Sequence, residues 1–143
     1  MKNKFLLLSL ISLFLFSSCD KVKDIIVELD VPISIKLEDN FIINLTVKNT
    51  SSKEQTLKSI DIGNDYLDGI AIYKWTPAYH DSYPIIGFDM TTYVYDLPIS
   101  PGGEVTIRLD AKPAKRGDFK STVDFPINSE MTFLTKDIRT IVK

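Results

Sequence analysis

The chain is short of the residues that most chemistry uses. Its 143 residues hold one cysteine (Cys19), one histidine (His80) and one tryptophan (Trp75). A lone cysteine excludes an internal disulfide. One His and one Cys cannot supply the three or four ligands of a zinc site. Nucleophilic catalysis needs a base beside its nucleophile. His80 has Asp81 and Ser82 as sequence neighbours, but the members of a triad converge from different elements. There is no Gly-x-Ser-x-Gly elbow, so His80 reads as an exposed loop residue and the chain as no enzyme. Charge of one sign is also scarce. Lys and Arg number 17 against 19 Asp and Glu, a net of −2. The basic residues are scattered, with only Lys112, Lys115 and Arg116 close together, and such a chain lacks a nucleic-acid footprint. The one long apolar run, residues 5–16, falls short of the roughly 20 residues that span a bilayer as a helix.

The flanks of that run are informative. Lys2 and Lys4 precede it, and Ser17, Ser18 and Cys19 come after it. A basic tip, an apolar centre and a small-residue cut site are the parts of a secretory signal. With cysteine at the cut, the segment resembles the signal peptide and lipobox of a bacterial lipoprotein, although Phe16 stands where Leu is usual. The resemblance implies removal of residues 1–18 and acylation of Cys19, with two or three acyl chains holding the protein on a membrane of the cell envelope. The alternative is a plain signal peptide cut near Ser18, leaving a free thiol at Cys19. Residues 19–24 make a short lipidated tether, and residues 25–143 are enough for one domain.

Beyond residue 24 the apolar period is two. Phe41, Ile43, Leu45 and Val47 alternate with polar neighbours, as do Val105, Ile107, Leu109 and Ala111, then Ile33, Ile35 and Leu37, then Val123 and Phe125. Strict alternation marks strands with one face buried. Turn residues punctuate the runs, as in Ser100-Pro101-Gly102-Gly103, where Pro then Gly suits a type II turn. The pattern predicts seven or eight strands at 25–37 (with a break possible at Pro32), 41–48, 56–62, 70–75, 91–97, 104–111, 119–126 and 132–142. Short alternating strands with regular turns predict an all-β, antiparallel two-sheet sandwich. The stretches 41–51, 99–109 and 117–119 resemble strands and turns of bacterial immunoglobulin-like envelope domains. That resemblance implies an immunoglobulin-like sandwich, without the core cysteine pair of antibody domains.

Two clusters stand out as candidate sites. Asp61, Asn64, Asp65 and Asp68 gather around Gly63 and Gly69, and hard oxygens are what calcium takes. Turns are rich in Asp and Asn for their own hydrogen-bonding reasons, so the same cluster fits a plain turn. No other cofactor is expected. Aromatic residues crowd the centre, and Pro77 and Pro84 bracket what reads as the longest loop. Trp75, Tyr79, His80 and Tyr83 are the expected contact surface, since exposed rings anchor partners and stack on sugars. In an uninterrupted strand, Tyr73 and Trp75 would share one face and Ile70 and Ile72 the other. Tyr93 and Tyr95 fall together on a face that suits the core. The expectation is a membrane-anchored, non-catalytic binding or assembly module of the bacterial envelope, with an envelope protein or glycan as partner. The alternative is a carbohydrate-binding lipoprotein that uses the loop aromatics, with or without calcium.

Overall fold

The computed structural model describes residues 22–143. Residues 1–18, Cys19 and the start of the tether lie outside the described residues. In chain order the strands are β1 (Ile25–Asp30), β2 (Ser34–Ile35), β3 (Phe41–Asn49), β4 (Gln55–Gly63), β5 (Ile70–Thr76), β6 (Asp81–Ile85), β7 (Met90–Ile99), β8 (Glu104–Pro113), β9 (Gly117–Pro126) and β10 (Phe133–Val142). A single helical turn, α1 (Asn64–Leu67), joins β4 to β5. One sheet has the order β1-β3-β8-β5 and the other β2-β10-β9-β4-β7-β6.

The predicted alternation sets the core. Phe41, Ile43, Leu45 and Val47 of β3 are buried, as are Ile107, Leu109 and Ala111 of β8. They face Leu57, Ile60 and Ile62 of β4 and Val123 and Phe125 of β9 in one hydrophobic cluster. Each sheet thus turns one apolar face to the other, the layered solution that buries both.

The structure departs from the sequence reading in four places. The stretch 25–37 is two strands in different sheets: β1 pairs with β3, and β2 pairs with β10. Pro32 lies in the crossing segment, where it needs no ladder N–H, and its carbonyl accepts the Thr140 hydroxyl at 2.9 Å. The β2–β10 pair is parallel, so the sandwich is not wholly antiparallel. Next, the supposed loop at 77–84 contains β6, the end strand of its sheet, where Pro84 is tolerated because one edge is unpaired. Third, the turn after Gly63 is helical. It buries Tyr66, whose hydroxyl meets Thr140 Oγ1 at 3.0 Å, and burial pushes its phenol up to about 12. Gly69 comes next because a Cβ there would lie 2.2 Å from the Phe119 ring.

The fourth departure is a phase change. The β5–β8 register slips between Ile72 and Lys74, a bulge that sets two residues against one and re-aims the side chains beyond it. Ile70, Ile72 and Trp75 therefore all pack on the core, and Tyr73 points outward at 53 % exposure.

Candidate functional site

The outer face of the six-stranded sheet carries a cleft of about 380 Å³. Its floor comes from three neighbouring strands. Asp61 of β4 lies opposite Thr92 of β7 on one side and Asp124 of β9 on the other. Ser59 and Val94 extend the floor. One wall is Tyr83 and Ile85 of β6 with Phe88 and Met90 of the hairpin after it. The opposite wall is Glu130, Met131 and Phe133 of the β9–β10 hairpin. Outward residues of β4 are therefore covered: Ser59 and Asp61 are buried, as Ile60 and Ile62 are on the core side. A central strand with wet residues on its outer face would not look so.

Asp61 is the group on which the floor turns. Its Oδ1 accepts hydrogen bonds from Ser59 Oγ at 2.9 Å and Thr92 Oγ1 at 2.5 Å. Its Oδ2 has no hydrogen-bond partner among the described residues, which contain no sealed, unpaired side-chain oxygen. Oδ2 therefore opens on the cleft. Burial pushes the Asp61 carboxyl above its usual range. The two hydroxyls oppose this, and the charges of Asp124 and Glu130 add to it. Asp124 accepts the Thr135 hydroxyl at 2.7 Å. Among the described residues the cleft's one cation, Lys58, is already taken by Asp96 at 2.5 Å. The result is an apolar cleft with an acidic floor and, among the described residues, no free positive charge.

Of the four expected contact residues, only Tyr83 lines this cleft. Tyr79 is 38 % exposed, whereas Trp75 is only 8 % exposed and joins an aromatic cluster that packs on the core. The Trp75 ring lies 4.1 Å from Tyr93 and 6.4 Å from Tyr95, and Tyr79 meets it edge-on at 5.5 Å and 89°. The Tyr95 hydroxyl ties this cluster to the loop after β5 through Pro77 O at 2.7 Å. Trp75 and Tyr79 thus do not supply two coplanar exposed rings. His80 is exposed, and its backbone N–H donates to Val94 O at 2.8 Å. Its side chain has no polar partner among the described residues. The expected single surface is split by the strand β6, which sends Tyr83 to the outer face.

The expected calcium cluster is not assembled either. Among the described residues no three His, Cys, Asp or Glu side chains come together as metal ligands. Asp61 projects from a strand into the cleft, whereas Asn64 is spent on Asp89 Oδ1 (3.0 Å) and Thr91 Oγ1 (2.8 Å). Asp65 and Asp68 are exposed around the α1 turn. Two further sequence patterns have local roles. Asn49, in an Asn-Thr-Ser stretch, is buried, and its amide donates to Lys53 O and Ile99 O. Asp118, in an Arg-Gly-Asp stretch, is held by both ends of the Arg139 guanidinium.

The cleft escaped the sequence reading because its lining comes from strands and turns far apart in the chain. The available signal was outward: Phe88 and Met131 are large apolar residues placed in turns.

No family model matches the chain, and no curated protein matches it. The solution structure of the CARDB domain of PF1109 from Pyrococcus furiosus is similar over 83 % of this chain and 94 % of that one, at 13 % identity and a TM-score of 0.50. The fold is an immunoglobulin-like β-sandwich. A crystal structure of the same Pyrococcus domain, in complex with di-metal ions, covers 84 % of this chain and 88 % of its own, at 14 % identity and a TM-score of 0.47. A PapD-like domain of human CEP192 covers 84 % and 85 %, at 10 % identity and 0.43. Likeness at this level concerns the sandwich alone, since one sandwich hosts many functions. The cleft has to be judged by its own residues.

Proposed function

We propose that this immunoglobulin-like sandwich is a non-catalytic binding module, held on a bacterial envelope membrane by acyl chains on Cys19, and that the cleft on its outer face is the contact surface. The observation that carries the reading is the cleft itself: apolar walls over a floor set by three paired strands. A site on strands is held more rigidly than one on loops. An apolar concavity with a few converging polar groups is the usual form of a binding site. The placement also suits an anchor. The short tether leads into β1, an edge strand of the four-stranded sheet, and the cleft lies on the far face of the other sheet. An envelope protein is the favoured partner, and the inward turn of Trp75 removes support from stacking on glycans.

Two comparisons test this. Intact mass and membrane partitioning in a bacterial host are measured for the wild-type chain and Cys19→Ser. Acyl mass and membrane association should both vanish in the variant, and equal unmodified mature masses would end the anchoring claim. Partner capture from envelope extracts is then compared between wild type and Val94→Trp, which fills the cleft. Loss of the captured protein is expected, and full retention by a folded variant would place the contact elsewhere.

A further inference from the structure

The cleft has an electrostatic imbalance that narrows its occupant. Asp61 and Asp124 are directly paired across β4 and β9, and like charges directly opposite one another destabilise a sheet. Among the described residues only hydroxyls answer them. Asp96 and Glu130 add two more carboxylates to the lining, and Lys58, the single ammonium there among the described residues, is engaged by Asp96. An entering cation would find Asp61 Oδ2 unpaired and Asp124 beside it. The apolar walls, and the absence of any three-ligand acidic group among the described residues, fit an organic cation better than a metal ion. Asp61, Asp124 and Glu130, the carboxylates that Lys58 leaves without a cation, also repel an anionic lipid surface.

The rim says how large the ligand is. Ile86, Phe88 and Met131 are 93 %, 74 % and 87 % exposed, and they stand on hairpin turns that flank the cleft. Apolar surface thus continues beyond a cavity that holds only one or two side chains. A small amine would leave that surface wet, whereas a longer segment would cover it.

We propose that the cleft takes an arginine or lysine side chain flanked by apolar residues, presented by an exposed segment of a partner protein, with the cation between Asp61 and Asp124 and its apolar neighbours on Phe88, Met131 and Phe133. This rests on the reading of the chain as a binding module with its contact surface in the cleft. A guanidinium suits the site best, because its planar fork can meet two carboxylates at once.

The test is a titration of the isotope-labelled full chain in neutral detergent, monitored by amide chemical shifts. The probes are the capped peptide Gly-Phe-Arg-Leu-Gly, the same peptide with Gln for Arg, capped Gly-Gly-Arg-Gly-Gly, and n-hexylguanidinium. The Phe-Arg-Leu peptide should shift amides around Asp61, Thr92 and Asp124. It should bind about tenfold more tightly than its Gln counterpart, the scale of one charge-assisted hydrogen bond. Asp61→Asn and Asp124→Asn should each remove most of that preference. Equal binding of the Gln peptide at the same amides would overturn the cationic ligand while leaving the cleft a binding surface. Equal binding of n-hexylguanidinium would overturn the protein segment. No shift with any probe would overturn the inference, and the Val94→Trp capture result would then tell whether the cleft reading falls with it.

Discussion

Replacing Asp61 by Asn should stabilise the protein at neutral pH and lose that advantage in acid. Asp61 is 9 % exposed, and its carboxyl is held above the ordinary 3.8 chiefly by burial. The folded state therefore binds this proton more tightly than the unfolded chain does. The stability linked to protonated Asp61 is complete below 3.8 and is lost as pH rises through the folded-state value. Every tenfold change in proton affinity on folding corresponds to about 1.4 kcal/mol. Asn keeps an oxygen for the Ser59 and Thr92 hydroxyls and removes the charge facing Asp124 and Glu130. The stability gap between Asp61→Asn and wild type should thus grow in favour of the variant from pH 3 to pH 7. Asp118 works in the opposite sense. Arg139 holds its carboxyl below the usual range, so its contribution is present above 3.8 and is lost as pH falls. That contribution is common to both proteins and cancels in the difference. Urea unfolding at several pH values provides the assay, with Trp75 as reporter. Trp75 is the only tryptophan and does not line the cleft. A gap that stayed constant between pH 3 and pH 7, or that opened in favour of wild type, would refute the burial argument.

Two further substitutions test the packing. Trp75→Ala should cost about 3–5 kcal/mol, as for other large aromatics removed from a core. A loss under about 1 kcal/mol, in urea unfolding followed by far-ultraviolet circular dichroism because the variant lacks the tryptophan reporter, would mean that the ring is a surface feature. Asn49→Ala leaves the Lys53 and Ile99 carbonyls and the Ser51 N–H without their side-chain partner, so a loss of about 2–4 kcal/mol is expected from the desolvated groups left behind. Calorimetric melting checks this, and an unchanged melting temperature would show that water replaces the amide without penalty.

Much of the scaffold was legible in the sequence, for a local reason. Alternation at Phe41, Ile43, Leu45 and Val47 and at Ile107, Leu109 and Ala111 states which face of a strand is buried, and those residues are core. Proline and glycine in the 100–103 turn state where the chain reverses. Tyr93 and Tyr95, placed on one face, do pack on the sandwich interior. Those properties depend on neighbours one or two residues away, so a linear reading reaches them.

Tertiary structure decided the rest. Nothing local distinguishes the bulge at 72–74 from a regular strand, yet it turned Trp75 inward and Tyr73 outward. Pairing with β7 made a strand of Asp81–Ile85, a stretch whose Pro, Asp and Ser read as loop. The pairing of β4 with both β7 and β9 set Asp61 between Thr92 and Asp124, residues 31 and 63 positions away in the chain. By itself the sequence determined that strands form and which of their faces seek burial, because the side-chain period of a strand is built into the backbone. Which strands become neighbours, and so which outward residues meet in the cleft, was decided only when the two sheets assembled. That choice depends on pairing partners far away in the chain, and no local pattern encodes it.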